Sequence, residues 1–332
     1  MSQTKSRRGT SWVGWLVSAI LIAGSVWLWL ERQYVVDAIQ YYQYQPTPPV
    51  EAIVSQAGLT DNAKFTFYAT RPAVESSQLF NQHCERKEAN SPILGCYVAS
   101  RIYIFDVTDE RLEGIKTVTA AHEMLHAEYD RLSGAEKKRL EPLLKAAYKR
   151  VANTELEERM RYYEKNEPGE SLNELHSILG TEFTSVGPEL EEYYRQYFTD
   201  RQKIVRLHQK VAKIFTGLSE EAAKLVKQIE ALARTINDAT NQYNGGVEAL
   251  NQEVDAFNAR ADRAGGFTTE AEFQAVRSSL TNRSSELNVL RQQIQANIAT
   301  YKTLLARLDT INDQSTKLSQ SLDSTLGDAP KI

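Results

Sequence analysis

The sequence is short of basic surplus, cysteine, histidine and long apolar runs, and each shortage excludes something. Lys and Arg number 39 against 43 Asp and Glu, a net charge of -4. A protein that neutralises phosphate backbones needs the opposite balance, so no nucleic-acid partner is expected. No glycine-rich phosphate loop and no Ser/His/Asp arrangement of recognisable spacing occurs. With 42% hydrophobic and 25% charged residues in 332, the chain is neither disordered nor collagen-like nor a polytopic membrane protein. The length suits one or two folded units plus something extended. The only cysteines, Cys84 and Cys96, are close enough to read as one disulfide closing a short loop in an exported domain, with two buried thiols as the alternative.

One apolar run is present. Trp12 to Leu30 carries no charge and is long enough to cross a hydrocarbon core of about 30 Å as a helix. Trp12, Trp15, Trp27 and Trp29 stand towards its ends, at the depths where indole is favoured. Lys5, Arg7 and Arg8 precede the run and only Arg32 follows closely, so the N-terminus is expected in the cytoplasm and the remainder outside it. The run continues past the small residues Ala23 to Ser25, which favours an uncleaved anchor over a signal peptide.

Glu31 to Tyr44 is aromatic and weakly amphipathic, and the prolines of Gln45 to Val50 predict a linker. Alternation predicts strands at Lys64 to Ala69 and Cys96 to Val107, with a helix over Ala73 to Cys84. Asp109 is placed to cap a helix from Glu110 to Leu132, and further helices are expected at Ala135 to Tyr148, Glu155 to Lys165 and from Ser171, where Ser171 and Glu174 have capping-box spacing. From about Leu218, apolar residues recur at intervals of three and four in two series separated by the glycine turn of Asp262 to Glu270, which predicts an antiparallel coiled-coil hairpin. Gly245-Gly246 is expected to kink its first arm.

His122-Glu123-Met124-Leu125-His126 is an H-E-x-x-H sequence. Residues four apart on a helix share a face, so both imidazoles can reach one metal ion while Glu123 stands beside them, able to take a proton from water. The motif sits mid-way along a strongly periodic helix. His83 and His208 stand alone and read as surface or packing residues.

The sequence here resembles the zincin metallopeptidases over about residues 50–187. The resemblance implies a small sheet packed on the motif helix, zinc held by His122 and His126, Glu123 as general base, and a rim strand at about Arg101 to Val107 along which an extended peptide lies. Tyr129 and Leu132 occupy the positions where the metzincin extension has glycine and a third histidine, which leaves the gluzincin type, with a glutamate ligand from a later helix. Asn173-Glu174-Leu175-His176 matches the Asn-Glu pair of some gluzincins, although Ile178 stands where an orienting aspartate is often found. Glu174, Glu182 and His176 are the candidates for the third ligand. His176, or a tyrosine such as Tyr162 or Tyr163, could instead stabilise an oxyanion.

The expected fold class is therefore α+β. Residues 1–11 are read as a cytoplasmic N-terminus, 12–30 as the anchor, 31–49 as juxtamembrane segment and linker, 50–200 as a zincin-like domain, 201–326 as the hairpin and 327–332 as a tail. The expected function is a membrane-anchored zinc endopeptidase acting on a peptide or protein, with the hairpin positioning the enzyme or binding a protein partner. A non-catalytic scaffold and a zinc amidase acting on cell-wall peptides are the alternatives.

Overall fold

The α+β expectation is overturned: the chain is 78% helical, and the strands among the described residues form one three-stranded sheet. This computed structural model describes residues 11–85 and 92–326. Lys5, Arg7, Arg8 and the expected 327–332 tail lie outside those residues. Helix α1 (Ser11–Leu30) is followed by α2 (Arg32–Gln43), α3 (Pro48–Ala57), α4 (Asp61–Ala69), strand β1 (Ala73–Glu75) and α5 (Ser77–His83). A hairpin follows, β2 (Gly95–Val98) and β3 (Arg101–Phe105), and then a 3-10 turn at Glu110–Leu112. Helices α6 (Ile115–Arg131), α7 (Gly134–Val151), α8 (Thr154–Asn166), α9 (Ser171–Thr181) and α10 (Pro188–Tyr194) lead to two long ones, α11 (Arg201–Ala261) and α12 (Glu270–Leu322).

Several local expectations change for physical reasons. The alternation of Lys64 to Ala69 belongs to helix α4, capped by the Thr60 hydroxyl, which accepts from the Ala63 N–H. Residues two apart lie on nearly opposite sides of a helix. Phe67 enters the core with no exposed surface while Phe65 meets the rings of Tyr34 and Tyr41 on α2, so two covered faces imitate a strand's period. The proline-rich segment is no loose linker beyond Thr47, because Pro48 and Pro49 open α3, where a fixed φ and a missing N–H cost a helix nothing. The expected strand from Cys96 to Val107 is a hairpin that turns through Ala99 and Ser100, both at positive φ. Asp109 caps the 3-10 turn, and Gly114 precedes α6 itself.

In the sheet β3 is central, parallel to β1 and antiparallel to β2. The rim strand expected at Arg101 to Val107 is thus the middle strand, and β1 and β2 are the edges. Ile102 and Ile104 of β3, Met124 and Leu125 of α6, and Ile178 and Leu179 of α9 share one core with Val50, Ile53 and Phe67. Cys84 and Cys96 are joined in a disulfide, tying the end of α5 to β2.

The chain divides into two compact units, one running up to Lys213 and resuming at Ser319, the other covering Ile214–Leu318. The second is a hairpin of α11 and α12. Its arms run in opposite directions, with ion pairs Arg307 to Glu221 and Arg283 to Glu253 and a cluster of Phe257, Phe267 and Phe273 near the turn. Helix α11 passes through Gly245-Gly246 without a break, and Gly246 instead lets Leu287 of the other arm come close. In the first unit, the Ser324 hydroxyl donates to Asn81 Oδ1 at 2.9 Å and Asn81 donates back to the Ser324 carbonyl at 2.5 Å. Truncation near Leu218 therefore removes part of the first unit too.

Candidate metal centre

Helix α6 carries the motif and packs most extensively on α9. Its inner face bears Ala120, Ala121, Met124, Leu125 and Ala127, small residues and flexible ones that let α9 approach. Gly180 of α9 is one such contact, since a Cβ there would stand 2.3 Å from Leu125 Cδ1. Helix α9 is fixed at its far end by the buried Arg201 guanidinium, which donates to the carbonyls of Leu179, Phe183 and Thr184, and by Tyr194, whose hydroxyl donates to the His176 carbonyl at 2.6 Å.

This packing brings Glu174 to the two motif histidines. Its Oε1 lies 3.5 Å from His122 Nε2 and its Oε2 lies 3.3 Å from His126 Nε2, while the two Nε2 atoms are 3.1 Å apart. Donors bound at about 2.0–2.1 Å in a tetrahedron stand ~3.3 Å from one another, so the observed spacings suit a common ion. The His126 ring is oriented from behind: its Nδ1 meets Asn173 Oδ1 at 2.9 Å, and Asn173 Nδ2 donates to Glu170 Oε2 at 3.0 Å. Asn173 Oδ1 can only accept, which keeps a proton on Nδ1 and leaves Nε2, on the Glu174 side, as the nitrogen open to a metal ion or a second proton. The imidazoles keep 18% and 17% of their side-chain surface exposed against 9% for Glu174, so the cluster opens to solvent on the histidine side. A half-buried His122 and His126 pair with a buried Glu174 can hold a metal ion.

The electrostatics follow. Burial works against a charge on His126, but the carboxylates of Glu174 and Glu123 outweigh it and raise its pKa to about 9. Burial likewise opposes a charge on Glu174, yet the two imidazoles hold its carboxyl well below the usual range. Glu123 is buried and pushed upward by desolvation, against the pull of both histidines. It stands beside the cluster rather than in it, under β2, where Gly95 approaches so closely that a Cβ would lie 2.9 Å from Glu123 Cγ.

No protein-family model, curated protein or solved structure matches this chain. The site thus stands on its own geometry.

Of the candidate third ligands, only Glu174 joins the histidines among the described residues. Glu182, eight residues along, is taken by Arg159, whose Nη1 donates to both its oxygens at 3.0 and 2.8 Å. Arg159 also reaches to 3.8 Å from Glu174 Oε1. Glu182 therefore backs the site through an arginine instead of supplying a ligand. His176 has no exposed surface and sits among the rings of Tyr129, Tyr193, Tyr194 and Tyr197. Burial pushes its pKa down to about 3, and it cannot meet a substrate from there. Tyr162 and Tyr163 lie on α8, their rings edge to face. His83 stacks on Tyr103 with its Nδ1 2.9 Å from Glu75, and His208 lies 3.7 Å from Glu182. The Ser171–Glu174 capping box does not form, because Glu170 occupies the cap position and the Glu174 carboxylate is committed to the histidines. Sequence reasoning did not assign roles to Asn173, Glu170 and Arg159. The one signal for the first was its place beside the ligand.

Proposed function

We propose that the protein is a membrane-anchored zinc-dependent endopeptidase with a gluzincin-type site. The observation that carries this reading is the convergence of His122 and His126, one helical turn apart, with Glu174 from a separate helix, while a second carboxylate, Glu123, is held beside them without joining the cluster. His122, His126 and Glu174 would hold the ion. When bound, zinc supplies Lewis acidity towards water and a peptide carbonyl. Glu123 takes the proton of the attacking water and passes it to the departing amine. A buried carboxyl with a raised pKa suits that work near neutral pH. Asn173 and Glu170 hold the His126 tautomer, and Arg159 keeps Glu174 in place. The edge strand β2 flanks Glu123 and offers a row of backbone groups to an extended peptide, the role first expected of the strand now central in the sheet.

The anchor reading rests on α1, whose span Trp12–Trp29 is exposed throughout and long and apolar enough to cross a membrane. The disulfide agrees with a domain outside the cytoplasm. The deciding experiment is metal analysis and unfolded-peptide hydrolysis by the full-length protein and its Glu123→Gln variant. Zinc in both with hydrolysis only in the parent is expected; absence of zinc, or undiminished hydrolysis in the variant, refutes the assignment.

A further inference from the structure

Anchored enzymes on flexible tethers reach substrates at many heights, and the proline-rich segment first suggested such a tether. The structure instead clamps the juxtamembrane helix onto the motif helix. Asp37 of α2, 5% exposed, accepts from Arg131 of α6 through Nε and Nη2, both at 2.8 Å. The same guanidinium donates to Tyr97 Oη at 3.3 Å, and Tyr97 belongs to β2, the strand beside Glu123. Around this pair Gln33 donates to Asp37 at 3.0 Å, Tyr34 and Tyr41 lie against Phe65 of α4, and Tyr44 Oη donates to the Pro72 carbonyl at 2.6 Å. Between α1 and α2 the helical hydrogen bonds continue, from Glu31 N–H to the Trp27 carbonyl and from Val35 N–H to the Glu31 carbonyl.

Distance follows from this attachment. Asp37 is seven residues beyond Leu30, about 10 Å along a helix. Arg131 is five residues beyond His126, about 7 Å along α6. With the side chains that join them, the path from the last apolar residue of the anchor to the metal centre is on the order of 30 Å even when fully stretched. An extended chain covers that span in roughly nine residues.

We propose that the substrates are polypeptide segments next to the membrane, cut within about 30 Å of its surface, and that the Asp37–Arg131 clamp sets this height. The proposal rests on the peptidase reading above.

The test uses the full-length protein with zinc in phosphatidylcholine vesicles containing phosphatidylglycerol. A dye replacing Val98, which is exposed on β2, reports energy transfer to headgroup dyes independently of turnover. Transfer is expected, and an added helical segment of about 30 residues at Glu31, roughly 45 Å of rise, should abolish it. Transfer at background in the parent protein overturns the proposal. Substrates are single-span proteins carrying one unfolded cleavable segment, placed at the membrane or on a helical stalk of about 60 Å. Cleavage at the membrane is expected to be at least ten times faster, and the lengthened enzyme should lose that preference. Equal cleavage at both heights, with an unfolded soluble peptide also cut, overturns this proposal and leaves the peptidase reading standing. No cleavage of either substrate or of the soluble peptide overturns both.

Discussion

The two faces of helix α9 hold carboxylate and imidazole two residues apart in opposite conditions. Glu174 faces His122 and His126, and there burial is overruled by opposite charge, so that His126 is drawn up to about 9. His176 faces four tyrosine rings, and there burial outweighs the one opposing influence, the Leu125 backbone, and drives the imidazole down to about 3. Both imidazoles are sheltered. What separates them is a neighbouring carboxylate. Burial alone makes a histidine inert, and burial with a carboxylate and an oriented ring fits it to hold a metal ion.

The comparison can be broken most severely at the motif. His122→Ala or His126→Ala should abolish stoichiometric zinc, measured by metal analysis after dialysis, while Glu123→Gln should keep zinc and lower hydrolysis by about 10²- to 10⁴-fold. Asn173→Ala, which frees the His126 ring, should weaken zinc affinity by about 10- to 100-fold in competition with a chelator. His176→Phe tests the other face. A histidine whose folded pKa lies below its unfolded value costs stability as pH falls through the unfolded pKa, because the unfolded chain takes up a proton that the folded one refuses. Loss on going from pH 6.5 to pH 4.5 should therefore be about 2 kcal/mol smaller in the variant by urea denaturation, with zinc unchanged at neutral pH.

A second test of stability concerns Glu128 on α6. It is 6% exposed and one of its oxygens lacks a hydrogen-bond partner. Desolvation raises its pKa to about 7, against the Thr66 hydroxyl and Arg131. Its sign is the reverse of the usual carboxylate: the folded state holds the proton more tightly, so stability falls as pH rises from the unfolded value near 4.5 to about 7. Glu128→Gln should gain about 3 kcal/mol at pH 8 and nothing at pH 4. An equal gain at both would show that the charge is not the cause.

The histidine pair was legible because its geometry is local: four residues on a helix place two rings together whatever else the chain does. Glu174 depends on how α6 and α9 pack, a tertiary fact, and came only through the zincin resemblance. His176 and Glu182 were plausible by the same arithmetic of spacing, and only the tyrosine cage and Arg159 decide against them. The fold class was misjudged at α4, where Phe65 and Phe67 are each covered from a different side, and at Pro48-Pro49, which punctuates a helix start as readily as a linker. The Thr60 cap was the overlooked signal.

The bond between Asn81 and Ser324 joins residues 243 positions apart, with the whole α11–α12 hairpin made between them. At about 5–20 residues per second, the ribosome needs on the order of ten to fifty seconds between the two. For that interval the partner side chain of Asn81 does not yet exist, although the anchor precedes Asn81 and the motif helix is made early in the interval. The first unit is thus completed last, and a nascent chain stalled within the hairpin carries His122, His126 and Glu174 without the Asn81–Ser324 contact.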